Sequence, residues 1–207
     1  MQAHTKHIIR AGKPLEEASR AMVMVHGRGA TAQSILSLAD HLDVTDFSLQ
    51  APQANQNTWY PYSFMAPTVD NEPGLSSGLR VLEELVRDIQ TQGIASKDIY
   101  FLGFSQGACL TAEFTARQAQ RYGGVFILSG GLIGAELKKE NYQGDFAGTP
   151  VLLGCSDVDA HIPLQRVKDS TQIFKNLGAS VEERIYPNAP HSIFEDEITF
   201  VNEVLNK

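Results

Sequence analysis

Gly103-Phe104-Ser105-Gln106-Gly107 matches the pattern Gly-x-Ser-x-Gly. A serine in this setting can act as a nucleophile. The pattern suits a sharp strand-to-helix turn, which strains the serine backbone and exposes its hydroxyl. Small residues two before and two after the serine avoid clashes, and the N-terminus of the following helix favours negative charge. Five residues alone would match by chance in about one chain in ten of this length, so the flanks decide. Ile99-Tyr-Phe-Leu102 before the serine reads as a strand, and Ala108 to about Arg121 after it reads as a helix.

A serine hydroxyl needs a base, and the base needs an orienting carboxylate. Behind a turn of this kind the chain order is Ser, then Asp or Glu, then His. His191, in Asn188-Ala-Pro-His-Ser192, stands between a strand-like segment and the last helical one. Gly154-Cys-Ser-Asp-Val-Asp-Ala-His-Ile-Pro163 offers two acids, Asp157 and Asp159, and spacing does not choose between them. The acid not used could instead accept loop N–H groups. His161 lies in the acid's own loop and is expected on the rim. An oxyanion needs donors. The backbone N–H of Gln106 should be one, and the turn His26-Gly27-Arg28-Gly29 should supply the other through Arg28. The Arg28 guanidinium itself could meet an anionic substrate group or a loop carboxylate.

These residues need a scaffold that brings strand ends together. Continuous apolar runs at Ala21–Val25, Ile99–Leu102, Gly124–Leu128 and Val151–Leu153 suit strands buried on both faces of a parallel sheet. Lys6–Arg10 and Asp46–Gln50 could add strands, and the alternating Val181–Tyr186 reads as a strand nearer an edge. Helical stripes lie between them: Ile35, Leu38, Ala39 and Leu42; Leu79 to Ile89; Leu164 to Leu177; and Phe194 to Leu205. Strand–helix alternation predicts a mostly parallel α/β sheet with helices on both faces. Its 207 residues fit one domain. Ala51–Gly74 is irregular, with four prolines among Trp59, Tyr60, Tyr62 and Phe64. A loop this long is expected to form a rim or lid over a pocket.

Composition closes off other functions. The chain is 43% hydrophobic and 20% charged, with net charge −7 and no basic cluster, which argues against nucleic-acid binding. The six histidines form no metal-binding pair, and no P-loop or Gly-x-Gly-x-x-Gly is present. Cys109 and Cys155 are neither a disulfide framework nor a CxxC site, and both read as packed residues. No signal-peptide h-region or membrane span is visible, so a cytoplasmic protein without stable membrane insertion is expected, as monomer or homodimer.

His26-Gly-Arg-Gly29, Gly103-Phe-Ser-Gln-Gly-Ala108, Asp157-Val-Asp-Ala-His-Ile-Pro163 and Pro190-His-Ser192 together resemble the phospholipase/carboxylesterase family. The resemblance runs from about Met22 to the C-terminus. It implies an α/β-hydrolase fold with no separate cap domain and no cofactor. It also implies a small-molecule ester or thioester substrate and Asp159 as the acid. Trp59, Tyr60 and Phe64 resemble residues that wall the acyl pocket in bacterial members. The early turn departs from the family's usual His-Gly-Leu-Gly at Arg28, which argues against a long acyl chain. Bulky Trp59 and Phe64 point the same way, towards short or medium acyl groups.

Overall fold

The computed structural model describes residues 1–207. Seven strands form one sheet: β1 (Ile8–Gly12), β2 (Arg20–Val25), β3 (Phe47–Pro52), β4 (Ile99–Phe104), β5 (Gly124–Leu128), β6 (Pro150–Ser156) and β7 (Ser180–Tyr186). Their order is β1-β3-β2-β4-β5-β6-β7. Only β1 runs antiparallel to its neighbour. The apolar runs fill the middle of the sheet, where each strand is covered on both sides. The alternating Val181–Tyr186 segment forms the edge strand β7, with its residues only partly covered or exposed.

Alternation along the strands separates two cores. Val23, Val25, Phe101, Val125 and Leu153 face one side, against α2 (Gly74–Thr91), α3 (Gln106–Arg117) and α4 (Leu164–Asn176). Met22, Met24, Leu102, Phe126 and Leu152 face the other, against α1 (Ala32–Leu36) and α5 (Glu195–Leu205). Helices therefore cover both faces, as the strand–helix alternation predicted. None is long and apolar enough to cross a membrane.

Two helices are shorter than their stripes predicted. The first is α-helical only to Leu36, then tightens to a 3₁₀ segment over Ser37–His41. There the Ser37 hydroxyl donates to the Ser34 carbonyl and competes with the regular ladder. Helix α3 stops at Arg117 rather than near Arg121. Ala119 instead pairs its backbone with Gln143 and Asp145 across a short parallel bridge. The irregular segment begins after Pro52, because Ala51 and Pro52 pair with β1.

The chain leaves β2 for β3 on one side, then crosses to β4 on the other. This switch opens a crevice at the carboxyl ends of β2 and β4, where such sheets take ligands.

Candidate active site

Ser105 is the residue between β4 and α3, with φ 55° and ψ −121°. That positive φ is costly for a side chain larger than glycine and points the hydroxyl out of the sheet. The flanking glycines are sterically required. A Cβ on Gly103 would lie 2.5 Å from the Gly107 carbonyl oxygen, and one on Gly107 would strike the Val25 carbonyl. Ser105 N–H donates to Leu128 O and its carbonyl accepts from Cys109 N–H, each at 3.0 Å. The bend is thus fixed from both sides.

The Ser105 hydroxyl stands 2.8 Å from His191 Nε2, and His191 Nδ1 stands 2.6 Å from Asp159 Oδ2. The carboxylate accepts Nδ1–H, which leaves Nε2 to accept from the serine. Asp159 Oδ1 accepts N–H bonds from His161 at 2.8 Å and Ile162 at 3.1 Å. Burial works against its charge, but the bonds from His191 and from these two amides outweigh burial and hold the carboxyl below its ordinary value. Asp157 faces elsewhere and accepts the Asn188 N–H at 2.8 Å, tying the histidine loop to the acid loop. The spacing left this choice open, and the geometry brings Asp159 to the histidine. His161 is exposed at the rim, its ring edge-on to His191 at 5.1 Å. The other side of His191 packs on Phe104.

Arg28 and Gln106 line the same cavity as Ser105. Neither the Arg28 nor the Gln106 backbone N–H donates to a protein acceptor. Gly27 allows the approach, since a Cβ there would press within 3.3 Å of Phe104 O and Ser105 Cβ. The next amide, Gly29 N–H, is occupied by Asn57 O at 2.7 Å.

Residues 60–64 build one wall of a cavity of about 620 Å³ beside Ser105. Tyr60 and Phe64 line it, together with Cys109 and Ile162. Trp59 does not reach it. Its side chain is fully buried, its indole N–H donates to His26 O at 2.9 Å, and the rings of His4 and His26 each lie 5.2 Å away. Trp59 therefore shapes the pocket through the loop it anchors.

Sequence reasoning missed what holds that loop. His26 Nε2 accepts Ala54 N–H and its Nδ1–H donates to Gly27 O. His4 Nδ1 accepts Asn55 N–H while its Nε2–H donates to Trp59 O. Burial lowers both pKa values, so both rings are held neutral. The Gln106 side chain accepts Trp59 N–H and donates to Tyr60 O, both at 2.9 Å. No local pattern announces such contacts. Only the apolar setting of His26 at the end of a buried strand hinted that its ring would be buried. Nowhere do three or more His, Cys, Asp or Glu side chains cluster as metal ligands.

A family model described as phospholipase/carboxylesterase matches residues 6–207. The chain belongs to the phospholipase/carboxylesterase family. Acyl-protein thioesterase 1 of Kluyveromyces lactis is 27% identical, over 96% of each chain. The crystal structure of a phospholipase/carboxylesterase from Dyadobacter fermentans is 48% identical, with TM-score 0.98 over 100% of this chain and 99% of that one. The Bacillus cereus carboxylesterase, at 16% identity, TM-score 0.77 and coverage of 96% and 92%, shares the fold. This is an α/β-hydrolase fold without a separate cap domain, in a family of carboxylesterase and acyl-protein thioesterase type.

Proposed function

We propose that the protein is a serine hydrolase of carboxylic esters or thioesters that works through an acyl-enzyme. The observation that carries this reading is the continuous hydrogen-bonded path from Ser105 through His191 to Asp159. Ser105 Oγ attacks the carbonyl carbon while His191 Nε2 takes its proton. Asp159 holds the ring in the required tautomer and stabilises the imidazolium. The free N–H groups of Arg28 and Gln106 bind the oxyanion as charge develops. The carbonyl then re-forms, the bond to the leaving group breaks, and that group takes the proton from His191. Water, deprotonated by the same histidine, releases the acid and restores the serine.

The wall formed by Tyr60 and Phe64, with Trp59 locking the loop behind it, favours short or medium acyl groups. A fluorophosphonate probe tests the chemistry. Labelling of the wild type that disappears in Ser105→Ala is expected. A folded wild type that resists the probe, or a Ser105→Ala variant with near-full esterase activity, refutes the reading.

A further inference from the structure

The cavity beside Ser105 carries a charge opposite to that of the whole chain. The protein has net charge −7, yet no Asp or Glu is among the lining residues. Asp159 lies behind His191 with its side chain fully covered. The permanently charged lining residue is Arg28. Its guanidinium is fixed rather than free to wander. It donates to Pro61 O at 3.0 Å and Tyr62 O at 2.7 Å, on the same wall that Tyr60 and Phe64 form. A guanidinium has five N–H donors, so this clamp leaves donors for a ligand.

A second group on that wall lacks a partner. The Tyr60 side chain is 1% exposed and its hydroxyl makes no hydrogen bond. A buried hydroxyl left without a partner is costly, which is how a site built for a hydrogen-bonding ligand looks without that ligand. Burial, and after it the adjacent Cys109 thiol, push the Tyr60 pKa well up, so the hydroxyl remains a proton donor. Cys109 and Tyr60 both line the cavity, and the Arg28 guanidinium carbon lies 5.9 Å from the Tyr60 ring centre. A plain alkyl chain would satisfy neither donor. A carboxylate has lone pairs for both, and no acid lines the cavity.

We propose that this site selects esters whose acyl group is short and ends in a carboxylate, read by the Arg28 guanidinium and the Tyr60 hydroxyl. The selection rests on the hydrolase reading above. The reaction is the same: one water adds, the ester C–O bond breaks, and a dicarboxylate and an alcohol leave.

The test compares kcat/KM for monoethyl glutarate with that for the neutral ethyl ester in which an isopropyl group replaces the carboxylate. Both use the same nucleophile and oxyanion donors, so their ratio isolates the distal group. The wild type should favour the charged ester by about tenfold or more, with the advantage shrinking as salt is added. Arg28→Gln should bring the ratio to about one, and Tyr60→Phe should lower it several-fold. Wild-type turnover with a ratio of one or below overturns the inference and leaves the hydrolase reading intact. So does a ratio that neither variant moves, or failure on both esters by an enzyme that still labels at Ser105. Failure on both esters together with no labelling overturns the hydrolase reading itself.

Discussion

Gln106 holds Tyr60: its side-chain Nε2 donates to the Tyr60 carbonyl at 2.9 Å, and its Oε1 accepts the neighbouring Trp59 N–H. The residue whose backbone N–H is proposed to bind the oxyanion thus also ties down the cavity wall. Gln106→Ala keeps the backbone donor and removes the tie, leaving the buried Trp59 N–H unpaired at a cost of about 1–3 kcal/mol. The melting temperature should fall by several degrees, and KM for short esters should rise more than kcat falls. Gln106→Glu keeps the acceptor for Trp59 but loses the donor to Tyr60, so its KM should lie between the two. Equal Michaelis constants for all three proteins would show that the side chain does not position the wall.

The two acids of the β6 loop should behave very differently. Asp159→Asn keeps the size of the side chain but removes the charge that orients His191, so kcat should drop by roughly a thousandfold or more. Asp157 accepts only the Asn188 N–H. An Asn side chain retains an oxygen for that bond, so Asp157→Asn should stay within about threefold of wild type. Parallel kcat measurements on the two variants decide the assignment, and a reversed order refutes it.

The residues proposed to react were legible because each sits at a strand end with a local signature. Ser105 stands between two required glycines, and His191 precedes the last helix. The strands were legible because burial on both faces leaves unbroken apolar runs, as in Ala21–Val25. The ends of α1 and α3 were not, since side-chain and cross-chain bonds at Ser37 and Ala119 override periodicity. The orientation of Trp59 was also hidden. An aromatic ring in a proline-rich loop reads as a pocket wall. Here two histidines, one 55 residues away at His4, occupy its surroundings and turn it inward. Spacing carried no information on Asp157 against Asp159, because both leave the same strand.

His4 and His26 make the wall sensitive to acid. Each ring nitrogen that accepts a backbone N–H loses that bond on protonation, and burial lowers both pKa values below 6.5. The unfolded chain therefore takes up protons first as pH falls through 6.5, and stability contributed above that value is lost below it. Hydrogen exchange should show amides of Ala54 and Asn55 losing protection between about pH 7 and pH 5, before those of β4. Unchanged protection at Ala54 and Asn55 across that range would contradict the neutral-ring assignment.

Glu197 should limit stability on the alkaline side. It lies in the first turn of α5, where a helix N-terminus favours negative charge, yet it is fully buried. Its Oε2 accepts the Phe194 N–H at 2.8 Å, while Oε1 presses on Gly154 without a hydrogen-bond partner. Burial prevails and pushes its pKa from 4.5 to about 7. The folded state then holds this proton more tightly than the unfolded chain. Stability from Glu197 is complete below pH 4.5 and is lost as pH rises through about 7. This acts opposite to His4 and His26, so the wild type should be most stable between the two losses, near neutral pH. Glu197→Gln cannot ionise and keeps an oxygen for Phe194. Its urea midpoint should change little between about pH 6 and pH 8, where the wild type loses on the order of 1–2 kcal/mol. The variant's stability maximum should move to higher pH. A wild-type-like decline in Glu197→Gln would mean that another group carries the alkaline loss, and Glu197 would then be ionised in the folded protein.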